Sequence, residues 1–135
     1  MPSSFPSRGR VLAVDDSSVI REILIASLEA AGYSVEAVAT GQAALAAASR
    51  ETFDAVILDV DMPGIDGLAV GRALRGDPRT RQSMIAMHTS LDEAAVRTGF
   101  DGYDAFLPQP CDARLLGDCV GRMIQARQLQ ARAAS

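Results

Sequence analysis

Three short stretches of the chain are apolar at every position: Val11-Leu12-Ala13-Val14, Ala55-Val56-Ile57-Leu58 and Met84-Ile85-Ala86-Met87. None of them alternates with polar residues. A strand reads this way when both of its faces are covered, as in a parallel sheet sandwiched between helices. Ser34 to Val38 and Ala105 to Leu107 are weaker and predict flanking or edge strands. Between these runs the period changes. Val19, Ile20, Ile23, Leu24 and Leu28 fall on one helical face, and Gly32 supplies a stop. Ala43 to Ala48 has high helix propensity, and Leu68, Val70, Ala73 and Leu74 form a third helical pattern closed by Gly76 and Pro78. Ser90-Leu91-Asp92-Glu93 has capping-box spacing: the serine hydroxyl takes the N3 amide and the glutamate reaches back, opening a helix that stops near Gly99. Leu115, Leu116, Cys119, Val120, Met123 and Ile124 give the last helix one broad apolar face. Five strands alternating with five helices predict an α/β fold with a doubly wound, five-stranded parallel sheet.

Length and composition narrow this further. A chain of 135 residues suits one compact domain. Residues 1–9, rich in Ser, Pro and Gly, read as a disordered lead-in, 10–127 as the domain, and 128–135 as a helical or flexible tail. With no Trp and 4% aromatics, the core must be built from Ala, Val, Leu, Ile and Met. A net charge of −4 argues against a domain that grips nucleic acid. No apolar run approaches the ~18 residues of a membrane span. The start lacks the apolar stretch of a signal peptide, so the expected location is the cytoplasm. Cys111 and Cys119 lie eight apart, roughly 12 Å along a helix, too far for a disulfide; they read as reduced, half-buried thiols. The arginines from 72 to 81 read as a solvated face, Met62 and Met87 as packing, and His88 as a strand-end residue packed under a helix.

Ligands of an open parallel sheet bind beyond the carboxyl ends of its strands, where the strand order switches. The residues that end each strand therefore carry the chemistry. Asp15 and Asp16 end the first, Asp59 the third with Asp61 just behind it, Thr89 and Ser90 the fourth, Gln109 and Pro110 the fifth. Carboxylates brought this close repel one another unless a proton or a cation intervenes. Hard oxygen donors with few others suit Mg²⁺, which keeps several waters and takes one or two carboxylates.

Four motifs now bear on the family: VLAVDDSSVIR, VILDVDMPGIDG, IAMHTS and GYDAFLPQP. The second is the most specific, an apolar strand and an Asp followed by Met62-Pro63-Gly64 and Asp66-Gly67. Over about residues 9 to 125 the chain resembles bacterial two-component response-regulator receiver domains of the chemotaxis-regulator type. The resemblance implies a flavodoxin-like strand order, 2-1-3-4-5. It implies Asp59 as phosphoacceptor, with Mg²⁺ or Mn²⁺ held by Asp16, Asp59 and the backbone carbonyl of Asp61, and with Asp15 acting through water. It implies Thr89 as the switch hydroxyl and Phe106 as the aromatic switch. The phosphodonor would be a sensor histidine kinase or a histidine phosphotransfer protein. The surface of the fourth helix, fifth strand and fifth helix would pair two copies or dock a downstream protein, with no direct nucleic-acid binding and no membrane insertion. Such a domain is not an enzyme beyond its own phosphorylation and dephosphorylation.

The sequence departs from that family at two positions. The family carries a Lys before the proline that follows the fifth strand, in a bond that is usually cis; this chain has Gln109, so Gln109-Pro110 is a candidate cis bond. Many relatives have an uncharged side chain where Asp61 stands. Against such a relative, the site loses one positive charge and gains one negative. Phosphotransfer is expected to persist with altered switching. A phosphorylation-independent pseudo-receiver that only docks partners is the alternative. A remote one is a dehalogenase-type phosphatase, whose D-x-D start is matched by Asp59-Val60-Asp61.

Overall fold

The computed structural model describes residues 7–134. Strands and helices alternate as β1 (Arg10–Val14), α1 (Ser18–Ala30), β2 (Ser34–Val38), α2 (Gly41–Arg50), β3 (Ala55–Leu58), α3 (Gly67–Gly76), β4 (Met84–Thr89), α4 (Glu93–Gly99), β5 (Ala105–Pro108) and α5 (Ala113–Ala134). The five strands are parallel, in the order β2-β1-β3-β4-β5. The chain first winds from β1 to β2 on one side, then crosses to β3 on the other, so the order switches between β1 and β3.

Strand pleating divides the apolar runs between two cores. Leu12, Val14, Val56, Leu58, Ile85 and Met87 point one way and meet Ala44 and Ala47 of α2, Val70 and Leu74 of α3, and Val96 of α4. Val11, Ala13, Ala55, Ile57 and Ala86 point the other way onto Leu24 and Leu28 of α1 and Leu116, Val120 and Ile124 of α5. The three all-apolar runs lie in β1, β3 and β4, the central strands; β2 at the edge is half-buried throughout. Four helices start on side-chain caps, α5 among them, where Asp112 accepts from the Leu115 amide at 2.7 Å. Ser17 accepts from the Ile20 amide, Thr40 from Ala43 and Asp66 from Ala69.

Four expectations need correction. The capping box does not form. The N-cap of α4 is Asp92, without a side-chain cap bond, and Glu93 instead accepts from Tyr103 Oη at 2.6 Å and Arg97 at 2.9 Å. A glutamate drawn sideways to a tyrosine ten residues on cannot reach back to a cap. The apolar faces of α1 and α5 are wider than the sheet can cover, so Val19, Ile23 and Leu115 stay exposed while Leu24, Leu28 and Leu116 are buried. Arg75 is no solvated residue. Its guanidinium donates to the carbonyls of Gly102, Arg81 and Ser83 and to Asp104, pinning α3 to the segments before β4 and β5. Residues 1–6 of the lead-in lie outside the described residues, but Arg8 is tied down: its amide donates to Gly32 O at 2.9 Å and its guanidinium to Ala31 O at 2.8 Å. At the other end, α5 runs as one helix into the segment assigned to the tail, as far as Ala134.

Gly67 fixes how the acceptor loop closes. A Cβ there would collide with the carbonyl oxygen of Asp59 and stand 2.8 Å from its carbonyl carbon. The amide of Gly67 donates to Val60 O at 3.0 Å, so the first turn of α3 packs directly on the backbone that carries Asp59. Gly67→Ala must push that backbone away. It is expected to cost about 1–3 kcal/mol, the usual penalty of overpacking, read as a lower urea midpoint at unchanged slope.

Candidate functional site

The ladder continues one step past the last paired rung. Val14 pairs with Leu58 and Leu58 with Met87. The Asp59 amide donates to Val14 O at 3.0 Å, and the Asp15 amide to Val38 O at 3.1 Å. Asp15, Asp59 and His88 therefore lie in a row across β1, β3 and β4. They share the pleat phase of Ala13, Ile57 and Ala86, the side of α1 and α5. Gln109, two residues past Leu107 and just beyond the end of β5, follows the same phase.

Asp15, Asp16 and Asp59 each offer a carboxylate oxygen, and these oxygens lie within 4.8 Å of one another. Asp15 is 2% exposed and Asp59 9%, whereas Asp16 is open to solvent. Burial, then the charge of Asp15, pushes the Asp59 carboxyl up to about 6; amides of Val60 and Asp61 pull the other way without cancelling it. Three hard oxygen donors of this kind fit Mg²⁺ or Mn²⁺. The exposed carboxylate of Asp61 stands outside this group, in the loop after β3.

The other predicted site residues fall around this group. Thr89 is buried, and its hydroxyl accepts from the Leu91 amide at 3.2 Å. Met87 and Phe106 are register partners. Phe106 is half-buried against the α2–α4 core, its ring 6.2 Å from that of Tyr103. The Gln109-Pro110 bond is cis. The Gln109 amide nitrogen lies 3.3 Å from Asp15 Oδ2, 3.0 Å from His88 O and 3.3 Å from His88 Nδ1. Burial pushes the imidazole below its ordinary value, with Asp15 opposing. Cys111 and Cys119 are free, half-buried thiols, and burial pushes both up.

Three residues that hold the site had no assigned part in it. The Ser17 amide donates to Asp15 Oδ1 at 2.9 Å, and Arg21 Nη1 to the Asp15 carbonyl at 2.7 Å. The third is His88. Its pleat phase, two residues beyond Ala86, is the signal that puts it on the side of Asp15 and Gln109.

Fold and site together define a doubly wound α/β domain with a pocket of three carboxylates at its topological switch point. The chain matches the family model described as "Response regulator receiver domain" over residues 11–120, and it belongs to that family. The family is a signalling domain, not a classical enzyme. The chain is 40% identical over 109 residues to response regulator PleD of Caulobacter vibrioides, covering 79% of this chain and 24% of PleD. It thus spans about a quarter of that relative's length. Among solved structures it is similar to the chemotaxis protein CheY4 of Vibrio cholerae, with TM-score 0.81 and 33% identity over 85% of this chain and 98% of that one. It is equally similar in fold to the receiver domain of sensor histidine kinase PA1611 from Pseudomonas aeruginosa PAO1, with TM-score 0.81 and 28% identity over 87% of this chain and 98% of that one. That structure carries a magnesium ion coordinated in its active-site cleft. Among the described residues, no helix is long and apolar enough to cross a membrane.

Proposed function

We propose that this chain is the phosphoacceptor of a cytoplasmic two-component system, taking a phosphoryl group onto Asp59 from a sensor histidine kinase or a histidine phosphotransfer protein. An oxygen of the Asp59 carboxylate attacks phosphorus in line. The P–N bond to the donor histidine breaks as the P–O bond forms, and its electron pair returns to the imidazole, which water reprotonates. Asp16 and Asp59, with the carbonyl of Asp61, would hold Mg²⁺ or Mn²⁺, and Asp15 would act through water. When bound, the cation supplies positive charge that offsets the repulsion between carboxylate and phosphoryl oxygens. Thr89 and Phe106 would report the new charge by rearranging together. The exposed Leu115 and half-buried Phe106 belong to the face of α4, β5 and α5, through which we expect a second copy or a downstream protein to dock.

One observation carries this reading: three carboxylates from two strand ends gathered within 4.8 Å, with the central one pushed toward neutral pH. Intact mass after incubation with acetyl phosphate and Mg²⁺ tests it. The wild type should gain the mass of one phosphoryl group, and chelating the metal should abolish the gain. An unmodified wild type would instead support the pseudo-receiver reading. That reading is favoured by Gln109, whose amide is committed to Asp15 and His88 and brings no cation.

A further inference from the structure

The Gln109 amide nitrogen has two protons and three acceptors around it: Asp15 Oδ2, His88 O and His88 Nδ1. His88 supplies two of the three. It is 5% exposed and closes one side of a largely apolar cleft of about 350 Å³, between Ile20 and Leu24 of α1 and Leu116 of α5. With its proton on Nε2, the ring offers the Nδ1 lone pair to the Gln109 amide, 3.3 Å away. Both carboxylate oxygens of Asp15 are then engaged, Oδ1 by the Ser17 amide and Oδ2 by Gln109. Arg21 holds the carbonyl of the same residue. Asp15 is thus oriented from three sides, and one of those sides depends on a side chain just past β5 that is itself held from β4.

We propose that His88 is a positioning residue for the metal site, holding the Gln109 amide against Asp15 and so fixing the direction of a carboxylate in the cation-binding group. Partners behind a metal ligand commonly change affinity about 10–100-fold when removed. The relay also uses up the donor at position 109. An amide pinned to Asp15 and His88 stabilises the acidic pair, and it does not serve Asp59 as a mobile side chain would. The two residues act as a unit: without the imidazole the amide is free to turn, and without the amide the imidazole has no purchase on Asp15. The inference rests on the metal-binding reading above and deepens it.

Mn²⁺ titration of the whole chain, followed by loss of the free-ion electron paramagnetic resonance signal, tests this without any phosphodonor. His88→Leu keeps the bulk and removes Nδ1; it should weaken Mn²⁺ binding about tenfold. His88→Asn returns an acceptor oxygen to the place of Nδ1 and should recover most of the loss. Gln109→Met, at a half-buried position, should weaken binding by a similar factor, which keeps the test sound if His88→Leu folds poorly. The double variant His88→Leu/Gln109→Met should bind no more weakly than either single one, because one relay has been cut twice. Unchanged affinity in a folded His88→Leu protein overturns the proposal, as do losses that simply multiply in the double variant. Wild-type protein that binds no Mn²⁺ overturns the metal reading itself, a distinct outcome.

Discussion

Asp59→Asn is expected to lose the phosphoryl adduct completely and, in metal-free buffer near neutral pH, to be more stable than the wild type. The sign follows from the shift. The Asp59 carboxyl titrates at about 6 in the fold against 3.8 for an ordinary aspartate, so folding favours its protonated form. Its contribution is fully present below the unfolded value and is lost as pH rises through the folded one. At about pH 7.5 the wild type carries the whole cost of an ionised, buried carboxylate beside Asp15. A shift of about two units corresponds to about 3 kcal/mol. Asn reproduces the protonated acid imperfectly, and a stabilisation of about 2 kcal/mol is expected. Urea unfolding with chelator should show this gap at about pH 7.5 and lose it by about pH 4, where both proteins carry a neutral group. Adding Mg²⁺ should narrow the gap from the other side, by stabilising the wild type through binding. The same titration predicts that metal-free Asp59 becomes a poorer nucleophile as pH falls through 6. An Asn variant no more stable than the wild type at neutral pH would mean that the acceptor is not strained by its neighbours.

The parts of this molecule that follow from short-range pattern were legible in the sequence. The strands β1, β3 and β4 are apolar at nearly every position because both faces are covered, and that alone places them in the middle of the sheet. Their carboxyl ends then fix where ligands go, and Asp15, Asp16 and Asp59 assemble there for topological reasons. What pattern misses is non-local. Glu93 has capping-box spacing, but its partner is Tyr103, which only the packing of α4 onto the chain before β5 brings within 2.6 Å. Arg75 looks like one more surface arginine until the fold sets three carbonyls and Asp104 around it. Val19 and Ile23 obey the helical period, yet lie outside the strip of α1 that the sheet can cover. His88 is the most instructive case. Reading it as a packed strand-end histidine accounts for its burial but leaves its Nδ1, beside Gln109 just past the neighbouring strand, without a purpose.

Gln109→Lys is expected to reverse the charge deficit of the site. All thirteen basic residues of this chain are arginines, and Arg21, the one beside the acidic group, meets Asp15 at its carbonyl rather than its carboxylate. A lysine places its ammonium one atom further from the backbone than the glutamine nitrogen, which already lies 3.3 Å from Asp15 Oδ2. Asp59 is the next carboxylate beyond Asp15, with oxygens of the two within 4.8 Å, so the longer side chain is expected to answer both. Two unit charges about 4 Å apart attract by about 4 kcal/mol at an effective dielectric of 20. Burying an ammonium consumes much of this gain, and a net benefit of about 1–2 kcal/mol to the ionised site is expected. The Asp59 carboxyl should then titrate at least one unit below its present value of about 6. Adduct formation from acetyl phosphate should need roughly tenfold less Mg²⁺ for half-maximal rate, because part of the counter-charge is now built in. Gln109→Met is the control: it removes the amide without adding charge and should move the Mg²⁺ requirement upward. If Lys and Gln give the same Mg²⁺ dependence, the fixed positive charge has no part in this site's chemistry. If the Lys variant alone transmits phosphorylation to the α4–β5–α5 face, read as a change in self-association on phosphorylation, then Gln109 is what uncouples acceptance of the phosphoryl group from its read-out.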